Sequence, residues 1–229
     1  QNKYTDIVST PDGNNNVIDE NGGMINEYWV VPYAGVNPAN GELLFVAADG
    51  SLTETPNDVD RRKSGKSNIP IYQGGFGFNL DYKGFFVDTQ FSYSLDQWRF
   101  DYAQLWLNSP SFAPDNNMST DILNAWTPTN TNTNVPSVNA ANFDLGTDFS
   151  DKWLKDASYV RLRNFSFGYN FDKKTLEKSF ITALKLFIQA ENLYTWTKWR
   201  GFDPDFGATA NVGSFPTPRT VSFGVNVEF

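Results

Sequence analysis

The strongest constraint in this chain is a strict two-residue alternation with aromatics on one side. In residues 71–82, Phe76, Phe78, Leu80 and Tyr82 alternate with Gly77, Asn79 and Asp81. In residues 85–96, Phe85, Val87, Thr89, Phe91, Tyr93 and Leu95 alternate with Phe86, Asp88, Gln90, Ser92 and Ser94. Period two is the signature of a strand with unlike faces. Only Lys83 and Gly84 separate the two runs, which predicts a tight hairpin. Three further runs repeat the pattern, at 158–171, 184–194 and 219–229. In the last, Val221, Phe223, Val225, Val227 and Phe229 alternate without error against Thr220, Ser222, Gly224, Asn226 and Glu228. A sixth, doubtful strand lies at 24–36, where Pro32 argues against a central position.

Connection lengths separate the architectures that could use such strands. The loops at about 37–71, 97–157 and 196–217 are long, and those at 83–84 and 172–180 are short. In an up-and-down meander, alternate connections emerge at the same end. Long loops at one end and short turns at the other are the asymmetry of an outer-membrane barrel. Strands of roughly ten residues or more fit tilted membrane spans better than soluble strands. The expected fold class is therefore all-β, an antiparallel up-and-down transmembrane β-barrel. The alternative is a secreted glycan-binding β-sandwich, which predicts closed sheets with a polar outer face. Six strands cannot close, since the smallest common barrels have eight. Either the long insert holds further strands or the chain supplies part of a larger barrel, and a first residue of Gln1 rather than Met favours the second. Short runs at 102–108, 118–126 and within 172–180 are candidate helical turns.

Composition narrows the chemistry. The chain has no His and no Cys, so it offers no Ser-His-Asp triad, thiolate nucleophile or zinc–thiolate site. A net charge of −8 disfavours general nucleic-acid binding. The 20 Phe, 10 Tyr and 7 Trp exceed what an aliphatic soluble core needs. No stretch is apolar enough for a membrane helix, which leaves a β-barrel open. Paired carboxylates such as Asp144 with Asp148, or Asp203 with Asp205, evoke glycoside hydrolysis, but nothing places them across a cleft. No enzyme activity is expected.

Five segments, in order, carry a family resemblance: PYAGVNPANGELLF at 32–45, the run 48–85 ending in DYKGF, ASYVRLRNFSFGYNF at 157–171, LFIQAENLYTWTKWRGFDPD at 186–205 and FPTPRTVSFGVNVEF at 215–229. Together they resemble the C-terminal part of the SusC/RagA-like TonB-dependent outer-membrane transporters of Bacteroidota. The resemblance implies that residues 1–229 are the C-terminal strands of a 22-stranded barrel. It implies import of oligosaccharides or peptides across the outer membrane of a Gram-negative, Bacteroidota-type bacterium. The implied partners are the plug and barrel polypeptide of the same transporter, a SusD-like surface lipoprotein acting as lid, the TonB–ExbB–ExbD complex acting through the plug, cargo and outer-membrane lipid.

Several residues are singled out. Trp98, Trp106 and Trp126 are candidate cargo or lid contacts, because flat aromatic faces stack on sugars and peptide groups. Trp196 and Trp199 fit rim packing. Asp49, Asp203 and Asp205 are candidates for a loop cation site, a structural Ca²⁺ being the fitting ion; no other cofactor is expected. Asp203-Pro204-Asp205 matches the family's "DPE" with Asp in the third place. Around Asp49, the acidic residues Glu54, Asp58 and Asp60 adjoin Arg61-Arg62-Lys63, which predicts mutual charge pairing. Phe223, Val225, Val227 and Phe229 resemble the terminal signal that directs barrel assembly. Asp81, Asp88, Gln90, Asn164, Gln189 and Glu191 are expected to face the lumen.

Overall fold

The computed structural model describes residues 10–12, 16–110, 116–143, 150–205 and 215–229. The chain divides into two compact units. One comprises Gln1–Ile69, Gln97–Asp156 and Gly207–Gly213, the other Pro70–Asp96, Ala157–Phe206 and Ser214–Phe229.

The second unit is a five-stranded sheet. Its strands are β1 (Tyr72–Tyr82), β2 (Phe85–Leu95), β3 (Tyr159–Asn170), β4 (Ala183–Thr197) and β5 (Thr220–Glu228). They lie in chain order, each antiparallel to the next. This is the up-and-down meander of a barrel wall, built from the five regular runs in the sequence. Tyr82 pairs with Phe85, so Lys83 and Gly84 alone form the first turn, at φ 47° and 87°. Two consecutive positive φ angles suit the right-handed twist of a hairpin. A Cβ on Gly84 would lie 2.7 Å from the Asn170 carbonyl oxygen, so that position requires glycine.

The register carries the alternation across the sheet. Leu80, Val87, Phe167, Ile188 and Phe223 are successive cross-strand neighbours on one face. That face is bare: Phe76 is 53% exposed, Phe223 80% and Val225 61%. A sandwich would have covered these side chains with a second sheet, whereas a barrel wall turns them to lipid. Thr89, the polar residue in the apolar run of β2, donates its hydroxyl to the Phe78 carbonyl at 3.2 Å. Its polar group is therefore satisfied without water, as hydrocarbon requires. Asn79, Asp88, Ser166, Gln189 and Ser222 form the matching row on the opposite face. Asp81, Gln90, Asn164 and Glu191 share that face, and Asn164 Nδ2 donates to Gln90 Oε1 at 3.0 Å. Among the described residues, β1 and β5 each pair along one edge only. Open edges in lipid leave backbone groups unsatisfied at several kcal/mol each, so this sheet is part of a larger closed barrel.

The first unit is built differently. Thr10–Asp12, Val17–Asp19, Glu27–Val30 and Arg62–Ser67 form a four-stranded sheet. Tyr33–Val36, Leu43–Val46 and Leu52–Thr53 form a three-stranded one, and Trp98–Phe100 pairs with Leu154–Asp156. The doubtful strand at 24–36 is thus two short strands parted at Pro32, and neither joins the meander. Val31, Leu43, Phe45, Phe100, Leu105, Phe143 and Trp153 make a core cluster. The buried amide of Asn142 binds both the N–H and C=O of Leu43, at 3.0 and 2.8 Å, and the Glu54 carbonyl at 2.9 Å. The runs predicted to turn helically do so: Tyr102–Asn108 is a helix capped by Asp101, Thr120–Asn124 a 3₁₀ turn and Lys173–Leu176 a short helix.

Candidate functional site

The most heavily bonded polar cluster of the barrel unit lies at the long-loop end of β3. Simple alternation in β3 continues from Tyr169, Phe167 and Phe165 to Arg163, Arg161 and Tyr159, all on the apolar face. The structure corrects this. Asn164 pairs with Gln90 and Leu162 with Phe91, so Arg163 is one extra residue in β3. Such a β-bulge re-aims every side chain beyond it. Val160 and Leu162 now take the apolar side, while Tyr159 and Arg161 stand opposite Ser94 and Ser92 on the polar side. Across β3–β4 the register shifts at the same level, where Asn192 adopts φ 51°. Asn192 Nδ2 donates to the Pro218 carbonyl at 3.2 Å, tying β4 to the chain segment before β5.

The re-aimed arginines meet the carboxylates of Asp203 and Asp205. Arg161 Nη2 donates to Asp203 Oδ1, with both side chains almost wholly buried. Thr217 donates its backbone N–H to Asp203 Oδ2 at 3.3 Å and its hydroxyl to the same oxygen at 2.5 Å. The Asp205 N–H donates to Asp203 Oδ1 at 2.9 Å. Arg163 Nη2 reaches Asp205 Oδ2 at 2.5 Å, and the Tyr159 hydroxyl donates to Asp205 Oδ1 at 2.7 Å. Arg163 Nε also holds Ser92 Oγ at 2.8 Å. Asp203 therefore joins both limbs of the β4–β5 connection to the wall.

Electrostatics keep both acids ionised. Burial alone would raise Asp203, but the Arg161 guanidinium and the Thr217 donors outweigh it and hold the carboxyl below the usual range. Burial is likewise outweighed at Asp205 by the Tyr159 hydroxyl and Arg163. Beside the cluster lies a cavity of about 540 Å³ lined by Arg161, Asn192, Thr195, Phe202, Thr217 and Arg219 among others. Its chemistry is hydrogen bonding and charge: hydroxyls, an amide and the exposed Arg219.

The residues singled out in sequence fall in different places. Asp203 and Asp205 are together, with arginines as partners. Asp49 belongs to the other unit and accepts the Ser51 N–H at 2.9 Å and hydroxyl at 2.7 Å. Among the described residues no group of three or more acidic side chains could hold a metal. Arg61 pairs with Asp58 at 3.0 Å, Lys63 with Glu20, and Arg62 caps the Val46 and Ala47 carbonyls. Trp98 packs against the cluster of Val17, Tyr28, Val30 and Leu154, with Lys66 Nζ 4.1 Å from its ring. Trp126 lies over Gly41, whose Cβ would come within 2.6 Å of the ring, and donates to the Pro38 carbonyl at 3.1 Å. Trp106, on the helix Tyr102–Asn108, is 38% exposed. Trp196 lies within β4, edge-on to Tyr194 at 4.7 Å and 49% exposed on the apolar face. Phe223, Val225 and Val227 line the apolar face of β5, and Phe229 stacks on Phe180 at 5.6 Å. Asp144 and Asp148 lie outside the described residues.

Sequence reasoning missed Tyr159, Arg161, Arg163 and Thr217. The signal was available: two arginines in an aromatic strand are costly in lipid unless acids meet them. The "DP" acids of the following loop are those partners.

No protein-family model matches the chain. It is 32% identical over 208 residues to TonB-dependent receptor P3 of Formosa agariphila, covering 86% of this chain and 20% of that protein. It is 23% identical over 223 residues to TonB-dependent receptor SusC of Bacteroides thetaiotaomicron, covering 95% of this chain and 21% of that one. The chain thus spans about a fifth of the length of these relatives. Among solved structures it superposes on a chain of the RagAB peptide transporter with a TM-score of 0.84 and 27% identity, over 97% of this chain and 25% of that one.

Proposed function

We propose that this chain, a segment of a SusC/RagA-like TonB-dependent transporter, forms a wall of an outer-membrane barrel that imports large nutrients. The observation that carries the reading is the five-stranded meander with a bare apolar face, a polar face and two unpaired edges. Its segment of barrel borders a polar lumen through which cargo passes. Peptides and oligosaccharides are the proposed cargo classes, and the solved neighbour named as a peptide transporter favours peptides first. In this reading TonB supplies the energy through the plug, and a SusD-like lipoprotein closes over the long-loop end. Of the loop tryptophans, Trp106 is the best placed to touch cargo or lid, because it is exposed while Trp98 and Trp126 are half-buried. No catalytic step is assigned. The carboxylates Asp203 and Asp205 serve as rim fasteners in this proposal, with no cation needed beside Arg161 and Arg163.

The test is uptake by intact cells expressing the complete transporter. Fluorescent peptides and oligosaccharides, each too large for porins, are supplied with and without TonB. Uptake of at least one class that vanishes without TonB is the expected result. Entry of both classes at equal rates without TonB, or of neither with it, would sink the reading. Purification in detergent should bring down a surface lipoprotein with the barrel.

A further inference from the structure

The apolar face of the barrel unit is grooved near its short-turn end. A groove of about 370 Å³ is walled by Phe85, Phe167, Leu186, Ile188, Phe223 and Val225, with strand backbone between them. The register places these side chains in two adjacent rows toward the short connections, with Leu184 and Val227 one row nearer. Phe85, Tyr169, Leu186 and Val225 form one row, and Val87, Phe167, Ile188 and Phe223 the next.

The connections below the groove are cationic, in a chain of net charge −8. They carry Lys83, Lys173, Lys174 and Lys178 against Asp172 and Glu177. The Asp172 carboxylate is engaged by the Thr175 N–H and hydroxyl, at 2.7 and 2.6 Å. Among the described residues none of the four lysines forms a salt bridge. Lys83 Nζ lies 5.2 Å from the ring centre of Tyr82, a residue of the apolar face. The Asn170 N–H donates to the Gly84 carbonyl at 2.7 Å, which fastens the first turn to the chain entering the second connection. Phe180 and Phe229, stacked and 78% and 79% exposed, lie beyond the strand ends. Aromatic rings and lysines at that level are the chemistry of a membrane interface.

We propose that the groove and the lysines together form a binding site for a phospholipid with an anionic headgroup. One acyl chain lies along the groove between Phe167, Leu186 and Phe223, and the phosphate meets Lys83 and the lysines of residues 173–178. Charge complementarity selects the headgroup, because clustered lysines at a membrane surface attract anionic lipid. The groove, with the rings of Phe85 and Phe167 stacked at 6.1 Å along it, marks this stretch of the apolar face. The inference rests on the barrel fold alone and stands whatever cargo is imported.

Native mass spectrometry of the complete, delipidated transporter tests it, with phosphatidylglycerol, phosphatidylcholine of the same acyl chains, and inorganic phosphate as probes. The native protein should retain phosphatidylglycerol over phosphatidylcholine by about tenfold. Joint substitution of Lys83→Gln, Lys173→Gln, Lys174→Gln and Lys178→Gln should bring that ratio close to one. Val225→Trp, which fills the groove with an apolar side chain, should lower retention of both lipids. Leu186→Trp replaces it if Val225→Trp fails to assemble. Equal retention of the two lipids by the native protein overturns the proposal. So does unchanged phosphatidylglycerol binding in the lysine variant or the groove variant. Displacement of the lipid by inorganic phosphate alone would also overturn it, since the groove would then contribute nothing.

Discussion

The two units of this chain meet the same demand, removal of apolar side chains from water, in opposite ways. The first unit hides them in protein: Val31, Leu43 and Phe45 are fully buried. The second unit leaves Phe76, Phe78, Phe223 and Val225 bare and buries Arg161 and Asp203 instead. Its buried charges are paired and its exposed rings await lipid. The difference teaches that one chain can carry two solvents' worth of folding rules, and that burial means something different in each unit.

Mutations can break the comparison, beginning where the effect is largest. Phe45→Ala should cost the first unit about 3–5 kcal/mol, because a fully buried ring leaves a cavity. Hydrogen exchange should rise across residues 27–46 while the heat-modifiable barrel band on gels stays unchanged. Loss of the barrel band would show that the first unit is needed for barrel assembly.

Arg161→Ala removes one partner of a buried pair and strands Asp203, a change worth about 3–5 kcal/mol. Limited proteolysis on whole cells should then cut within residues 198–205 or 215–219. Acid should loosen the same connection. Asp203 and Asp205 have lowered carboxyl pKa values in the fold, so their stabilisation is full above the ordinary carboxylate range and lost as pH falls through the folded values. Asp203→Asn should flatten that acid limb.

Lys152 gives the first unit a slope of the same sign in a higher pH window, from a buried charge that has no ionic partner among the described residues. Burial, with Lys155 nearby, lowers its amine to about 7 from 10.5. Its Nζ donates to the Tyr33 hydroxyl at 3.1 Å and the Asn134 carbonyl at 3.2 Å, and no carboxylate pairs with it among the described residues. The unfolded chain holds that proton more tightly. Stability should therefore rise with pH between about 7 and 10.5, by at most about 1.4 kcal/mol per pH unit, and be flat below. Thermal melts of Lys152→Met that keep the native slope would discard this account.

The smallest effects sharpen the lipid side. Phe78→Arg, halfway along the apolar face, should reduce assembled barrel by an amount equivalent to about 2–4 kcal/mol. Val225→Asp, near the short-turn end, should cost about 1 kcal/mol, since depth sets the penalty. Equal assembly of the two variants would mean that the face does not contact hydrocarbon as a graded medium.

The alternation of Phe85 to Leu95 and of Val221 to Phe229 was enough to read the strands, their hairpin and their order. It works because a strand's side chains point to alternate faces whatever else surrounds them. The first unit was much less legible. Its segments 33–36, 43–46 and 98–100 are short, and their partners lie far away, as Asn142 does from Leu43. No local period encodes contacts across so many residues. The sequence by itself also paired Asp203 with Asp205 and quoted Arg161 and Arg163 within one motif. Only the tertiary structure joined them. One bulge at Arg163, set by the neighbouring strands' hydrogen bonds, turned the arginines from the lipid face to the polar face where the two acids stand. A single inserted residue flips every side chain beyond it, and pairing register belongs to two strands at once, so neither strand's own sequence contains it.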